Sequence, residues 1–109
     1  MEFCVPVCQI SQKLTIEIPG SKSLTNRALL LAAMASGTSI ISNLLICDDT
    51  QAMLSSLRIL GVQIDWDSQN KQAIVCGLAG VNFQPNQICD CQESGTVSRF
   101  LVAACAAAY

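Results

Sequence analysis

The stretch Pro19-Gly-Ser-Lys-Ser-Leu-Thr-Asn-Arg27 runs directly into Ala28-Leu-Leu-Leu-Ala-Ala-Met-Ala35. Serine just before a long apolar run is a favoured helix N-cap, and either Ser21 or Ser23 fits that position. The run is apolar on nearly all sides, which is typical of a helix that is buried on most of its faces. We therefore expect a central helix over residues 23–36, with the polar stretch at its start.

Strand and helix patterns alternate along the rest of the chain. Alternating apolar residues and β-branched runs predict strands, and Asp48 with Gln51 has the spacing of a helix capping box. In chain order we predict a strand over 13–18, a helix over 23–36 ended by Gly37, a strand over 38–45, a helix over 49–60 ended by Gly61, a hairpin of strands 62–66 and 72–76, a short strand over 87–91 and a helix from Ser94. The order β-α-β-α-β-β, followed by the start of another β-α, predicts an α/β (α+β) fold. One complete unit and part of a second would make a single partial domain over residues 1–109.

The composition narrows the class of protein. The 109 residues suffice for one small domain, and 51% hydrophobic against 13% charged residues indicates a folded chain. A net charge of −2 without a basic stripe argues against binding of nucleic acid. The apolar runs fall short of the roughly 18 residues that a membrane span requires. Glu2, with no basic region around it, does not fit a signal peptide.

The cysteines indicate a reducing compartment. The chain has seven cysteines and no histidine. An odd number of cysteines without a secretory signal predicts reduced thiols and a cytoplasmic location. The close pairs Cys4/Cys8 and Cys89/Cys91 lack the usual spacing of zinc ligands, so a role as small hydrophobes is favoured over metal binding.

The polar stretch at the first helix is the first candidate site. Gly20 lets a ligand approach the backbone, and the N–H groups of a helix start attract anions. Lys22 is a compact cation with three hydrogen-bond donors. Ser23, Asn26 and Arg27 are spaced so that they share one face of the helix, and Arg27 can grip a carboxylate or phosphate at two points. Alternatively, Ser23 merely caps the helix and both cations are solvated.

A second helix start has the same character. Residues 94–96 (Ser-Gly-Thr) again offer open backbone N–H groups, and Arg99 lies one turn after Thr96. N-capping with a surface arginine would also explain this cluster. Asp48 and Asp49 form a third candidate, in which one carboxylate caps the helix and the other orients a cation. Three of the six basic residues lie in the two helix starts: Lys22, Arg27 and Arg99.

These residues together resemble a known family. The stretch 19–33 is similar to the N-terminal signature of the 5-enolpyruvylshikimate-3-phosphate synthase (3-phosphoshikimate 1-carboxyvinyltransferase) family. Further similarities follow in order: Asn43-Leu-Leu with Asp48-Asp49-Thr50, residues 57–62, and Ser94-Gly-Thr-x-x-Arg99. The resemblance implies a fold of two domains built from repeated β-α-β-α-β-β units. This chain would be an N-terminal fragment of an enolpyruvyl transferase.

The resemblance also implies an activity. The expected reaction transfers the enolpyruvyl group of phosphoenolpyruvate to the 5-hydroxyl of shikimate 3-phosphate, releases phosphate and uses no metal or organic cofactor. Lys22 would contact phosphoenolpyruvate and stabilise charge at the reacting centre, with Asp49 as the second catalytic residue in a supporting role. The remaining roles follow by position: shikimate 3-phosphate for Ser23 and Arg27, phosphoenolpyruvate for Gly95 and Thr96, and support of the site for Arg99.

This sequence departs from the family in two respects. The family often has asparagine at the position of Glu93, and a carboxylate there would lie close to anionic ligands. Family enzymes are also several times longer, and the missing part supplies the acid/base carboxylates, so the isolated chain is expected to be inactive. In the family the first strand joins the other domain, and residues 13–18 would then lack their partners.

Two alternatives remain open from the sequence. The chain could be a non-catalytic substrate-binding or interaction fragment that pairs with the missing C-terminal part of the enzyme. It could also be an unrelated phosphate-binding α/β domain, which would bind nucleotides. The end of the sequence at Tyr109, within an apolar helix, favours a fragment.

Overall fold

A computed structural model describes residues 1–7, 9 and 13–108 of the chain. Within those residues it has three helices and one sheet of three strands. In chain order they are α1 (Lys22–Met34), β1 (Ser36–Ile41), α2 (Asp48–Ile59), β2 (Gln63–Asp67), β3 (Gln72–Leu78) and α3 (Gly95–Ala106). The mixed α/β class predicted from the sequence is confirmed.

The sheet is antiparallel, with β3 between β1 and β2. The register pairs Ile74 of β3 with Ile40 of β1 and with Asp65 of β2. Side chains alternate between the two faces of a strand, so Ala73 and Val75 point away from Ile74, and both are fully buried. One face of the sheet therefore faces the core and the other faces solvent.

The core lies between the inner face of the sheet and the three helices. Its largest fully buried apolar side chains come from each helix and from the strand and turn between them: Leu29, Leu44, Met53, Leu57, Val75 and Val97. Truncating such a side chain to alanine costs about 2–5 kcal/mol in proteins generally. Gly77 lets β3 pass close to the end of α1, because a Cβ at this position would overlap the carbonyl oxygen of Ala35.

The start of α1 is fixed against the turn that follows β1. A Cβ on Gly20 would overlap the carbonyl oxygen of Asn43, so glycine allows the two backbones to touch. The N–H of Leu45 donates a hydrogen bond of 3.1 Å to Thr25 Oγ1. These contacts fix the position of the polar stretch before the first full turn of α1 is complete.

Two predicted strands are wrong. Residues 13–18 and 87–91 form no strand in the described part of the chain. The apolar side chains of this first segment are exposed, with relative solvent accessibilities of 64% for Leu14, 78% for Ile16 and 77% for Ile18. Alternating apolar residues become a strand when a neighbouring strand takes their hydrogen bonds, and no strand of the described residues pairs with either segment.

The predicted helix ends are shifted by a few residues. The first helix ends at Met34, and Gly37, with φ +86°, already belongs to β1. That strand stops at Ile41 rather than residue 45, because Asn43 turns the backbone to φ 56°. The capping box of α2 lies one residue earlier than Asp48 and Gln51: the N–H of Cys47 donates to Thr50 Oγ1 at 3.0 Å.

The helix over 49–60, the hairpin and the helix after Ser94 are confirmed to within two residues. Among the described residues, no helix combines the length and apolar character that crossing a bilayer requires.

Candidate functional site

The three helices begin at the same end of the molecule. Lys22 is the first residue of α1 and Asp49 the second residue of α2, and Lys22 Nζ lies 3.1 Å from Asp49 Oδ2. The Ser94 hydroxyl, at the start of α3, lies beside the same carboxylate. Each helix start presents unpaired backbone N–H groups and the positive end of a helix dipole. Their convergence makes this end of the molecule a candidate site for an anionic ligand.

Asp49 is the group that joins the three starts. The Lys22 ammonium first, and then the Ser94 hydroxyl, stabilise the charged carboxylate and hold the pKa of Asp49 below its ordinary value. The carboxylate is therefore charged at neutral pH. Side-chain exposure of 53% for Lys22 and 26% for Asp49 leaves the ion pair open to solvent and to an incoming ligand. Of the two aspartates predicted as a third candidate, Asp49 is the one that lies within ion-pair distance of a cation of the first cluster.

A cleft of about 380 Å³ opens between the starts of α2 and α3. Its lining residues are Asp48, Asp49, Gln92, Glu93 and Ser94. Glu93 is exposed there. The cleft thus holds three carboxylates beside the ammonium of Lys22 and is more negative than a simple anion site.

Ser23 and Arg27 lie on another side of α1. Arg27 Nη1 donates a hydrogen bond to Ser23 Oγ, and the guanidinium carbon lies 5.5 Å from the ring centroid of Phe100 on α3. This places Arg27 against α3, while Lys22 reaches towards α2. The structure therefore divides the predicted basic site into two adjacent parts.

The second predicted helix start is built locally. Ser94 caps α3, because its hydroxyl accepts a hydrogen bond of 3.2 Å from the N–H of Val97. Arg99 turns back along its own helix, and its Nε donates to the carbonyl oxygen of Gly95 at 2.9 Å. Gly95 is exposed and Thr96 is half-buried, so both remain accessible from the open end of the helices.

Asn26 differs from the sequence interpretation. Its spacing predicts a ligand-facing side chain beside Ser23 and Arg27, but it is fully buried. Neither amide atom has a hydrogen-bond partner among the described residues. The helical spacing also places Asn26 one turn after Lys22, on the side of α1 that carries the ion pair, and packing there buries it. A buried, unpaired amide of this kind costs about 1–3 kcal/mol in proteins.

Phe100 is the residue that the sequence interpretation missed. The sequence pattern places it only within the apolar third helix, and its contact with Arg27 comes from the packing of α1 against α3. Its position one turn after Thr96 was a usable signal, because residues spaced by four share a helix face.

The chain is similar to proteins of one family. The family model described as EPSP synthase (3-phosphoshikimate 1-carboxyvinyltransferase) matches residues 9–109. The chain is 47% identical over 76 residues to the chloroplastic 3-phosphoshikimate 1-carboxyvinyltransferase of Petunia hybrida, covering 70% of this chain and 14% of that protein. It is 41% identical over 102 residues to the 3-phosphoshikimate 1-carboxyvinyltransferase of Pseudoalteromonas translucida, covering 94% of this chain and 24% of that one.

A solved structure agrees with the fold. The EPSP synthase from Acinetobacter baumannii superimposes with a TM-score of 0.74 at 28% sequence identity, over 82% of this chain and 20% of that one. The chain therefore spans about a quarter or less of the length of these relatives.

Proposed function

The chain belongs to the EPSP synthase family, and from this premise we propose that it forms part of the active site that transfers the enolpyruvyl group from phosphoenolpyruvate to the 5-hydroxyl of shikimate 3-phosphate. The observation that carries the proposal is the 3.1 Å pair of Lys22 and Asp49 beside Ser94. It brings the polar groups of three helix starts to one end of a chain portion that corresponds to the N-terminal part of the enzyme.

Lys22 is the central residue of the proposed reaction. Its ammonium contacts phosphoenolpyruvate. The 5-hydroxyl of shikimate 3-phosphate bonds to the enol carbon and loses its proton while the methylene carbon gains one, and loss of phosphate and of one methyl proton then restores the double bond. The acid/base carboxylates of the remainder of the enzyme transfer these protons, and Lys22 stabilises the negative charge that grows on the phosphate group as its bond to carbon breaks. Asp49 supports the catalytic step because it holds the ammonium at the open end of the helices. A cation fixed in place before the reaction needs no reorganisation during it, which is the main source of electrostatic catalysis.

The remaining residues position the two substrates. Gly95 and Thr96 lie against phosphoenolpyruvate, where the backbone N–H groups of the start of α3 are open. Ser23 and Arg27 hold shikimate 3-phosphate, and the hydrogen bond between their side chains supports a joint role. Arg99 supports the start of α3 through its bond to the Gly95 carbonyl. Binding the two anionic substrates side by side accelerates their reaction mainly through proximity and orientation.

The proposed partner of this chain is the remainder of the enzyme. Leu14, Ile16 and Ile18 alternate and are largely exposed, which supports strand pairing with a segment outside this chain. In that arrangement the 109-residue chain forms a partial domain and is inactive alone. We also place it in the cytoplasm; the free thiols of Cys4, Cys47, Cys76, Cys89, Cys91 and Cys105 support a reducing compartment.

The proposal is tested by calorimetric titration with shikimate 3-phosphate. The chain is titrated alone and after mixing with a purified remainder of a family enzyme, and enolpyruvyl transfer is assayed in the mixture. We expect weak binding by the chain alone and turnover in the mixture, which Lys22→Ala abolishes. Binding without turnover would favour the non-catalytic fragment, and the absence of heat in both titrations would contradict both functions.

A further inference from the structure

The Arg27 guanidinium is held by two side chains from two helices. Ser23, one turn earlier on α1, accepts a hydrogen bond from Arg27 Nη1. Phe100 of α3 lies with its ring centroid 5.5 Å from the guanidinium carbon. That distance is within the range in which the face of an aromatic ring attracts a cation. Arg27 is itself exposed, so without these contacts its long side chain would sample many rotamers.

In the cleft around Arg27, the Phe100 ring is the group that attracts the guanidinium. Arg27, Leu30, Leu31 and Phe100 line a shallow cleft of about 220 Å³. Its other lining residues are aliphatic and offer no polar group to the guanidinium. An aliphatic side chain at position 100 would preserve the packing but not the attraction, because that attraction depends on the ring's negative face.

The contact with Phe100 also determines which side of α3 the Arg27 guanidinium lies on. Thr96 lies one turn before Phe100 and therefore on the same side of that helix. A guanidinium held over Phe100 is thus kept on the side of α3 that carries Thr96, while Ser23 keeps it on the matching side of α1.

We propose that Phe100 is a positioning residue for substrate binding, acting through Arg27: its ring holds the guanidinium between α1 and α3, ready for an acidic group of shikimate 3-phosphate. The proposal rests on the proposed function for the identity of the ligand, but not for the contact itself. Phe100 does not touch the substrate in this arrangement.

The contact can be tested without any ligand. In the 109-residue chain, the Arg27 guanidinium carbon lies over the Phe100 ring, 5.5 Å from its centroid, and we expect the ring current to shift the NMR signal of the Arg27 Nε–H proton upfield. Phe100→Leu should return the signal to the position of a free arginine, and Phe100→Tyr should keep the shift. Val102→Ala, an exposed apolar change on the same helix, is the matched control and should leave the signal in place. An unchanged Arg27 signal in folded Phe100→Leu overturns the proposal.

The consequence for binding is tested by a double-mutant cycle. Phe100→Leu should weaken binding of shikimate 3-phosphate about two- to fivefold, the size of an exposed cation–π contact. Phe100→Tyr should restore the affinity. In an Arg27→Ala background, Phe100→Leu should have no further effect, because its action depends on the guanidinium. An equal loss in both backgrounds overturns the proposal.

The two tests separate this inference from the proposed function. If the wild-type chain, alone and with the remainder of the enzyme, does not bind shikimate 3-phosphate, the proposed function fails and the role of Phe100 in substrate binding fails with it; the NMR signal still reports whether the contact exists. If the chain binds the ligand but the cycle shows no coupling, the proposed function stands and the role of Phe100 is refuted. Thermal unfolding of each variant identifies any effect due to loss of the fold.

Discussion

The starts of α1 and α3 look alike in sequence but are held in opposite ways. Each has a serine N-cap with a glycine next to it and at least one basic residue in its first two turns. At α1, Gly20 touches the backbone near Asn43 and Lys22 crosses to Asp49. At α3, the arginine bonds within its own helix. The same local pattern therefore leads to a start that depends on its tertiary neighbours in α1. In α3 the cap and the arginine bond within the helix itself, and only the Ser94 hydroxyl also lies beside Asp49 of α2.

Replacing the glycine at each helix start by alanine should give the largest difference between the two starts, measured as the loss in the free energy of unfolding. Gly20→Ala places a Cβ against the carbonyl oxygen of Asn43. Because that oxygen belongs to the backbone, the clash can be relieved only by displacing the main chain. We expect a loss of about 3 kcal/mol in the free energy of unfolding, at the upper end for overpacking. Gly95→Ala is the matched control: its Cβ would lie 3.6 Å from Arg99 Nη2, an ordinary contact. Urea unfolding measures both, and equal losses would show that the two starts do not differ in this way.

Removing the cation at each start should have the next largest effect, on binding. Lys22→Met keeps the length of the side chain but removes the charge, and we expect affinity for phosphoenolpyruvate to fall about thirtyfold, as for a lost charged hydrogen bond of about 2 kcal/mol. Arg99→Met should cost no more than about fivefold, since this exposed side chain serves its own helix. Titration in the presence of shikimate 3-phosphate gives both values. A greater loss from Arg99→Met would reverse the assignment of roles.

The serine caps should differ by a smaller amount. Ser94 Oγ is buried and accepts from Val97 N–H at 3.2 Å, whereas Ser21 Oγ is exposed and 3.4 Å from Leu24 N–H. We expect Ser94→Ala to lower the free energy of unfolding by about 1 kcal/mol and Ser21→Ala by about half as much. Chemical denaturation of the two variants checks the order. A larger effect of Ser21 would mean that its cap bond is stronger than its length indicates.

The smallest expected effect is the change with pH that Asp49 contributes to the free energy of unfolding. The pKa of Asp49 lies below its ordinary value of 3.8 because Lys22 and Ser94 stabilise the charged form. A lowered folded-state pKa adds stability that is complete above the unfolded value and is lost as pH falls through the folded one. The stability of wild type relative to Asp49→Asn should therefore be constant near neutral pH and decrease below pH 3.8. Urea unfolding at a series of pH values measures the free energy of unfolding of both proteins. A difference between them that does not change with pH would contradict the stabilisation of charged Asp49 by Lys22 and Ser94.

Asp67 provides a local control for that experiment. Its pKa is also lowered, by the backbone N–H and side chain of Asn70 and then by Gln69, all within its own turn. A Lys22→Met background should abolish most of the pH dependence at Asp49 and leave that of Asp67 intact. Loss of both would show that the substitution had disturbed the whole fold.

Local signals predicted the parts of the fold that are held locally. The turn after α2 at Gly61 has φ +97°, and the turn at Asp67 is closed by hydrogen bonds that its carboxylate accepts from the backbone N–H groups of Gln69 and Asn70. Both could be located from residue type. Residues 13–18 carry an equally clear pattern but need a neighbouring strand, which their own sequence cannot supply.

The candidate site shows the same division. Lys22, Asp49 and the start of α3 could be chosen from the sequence, because helix starts and charges are local features. The burial of Asn26 and the contact of Arg27 with Phe100 depend on the packing of α1 against its neighbours. Helical spacing limited the possible faces but did not decide which helix each one meets.

The strand order β1-β3-β2 has a consequence for behaviour in concentrated solution. It leaves β1 and β2 as the two edges, and open edges invite intermolecular strand addition and aggregation. The edge β2 carries Asp65 and Asp67, whose charges oppose such addition, whereas β1, Ser-Gly-Thr-Ser-Ile-Ile, carries none and exposes Ile40. Self-association of this chain should therefore begin at β1, and a lysine at the exposed Thr38 is the substitution most suited to keep it monomeric.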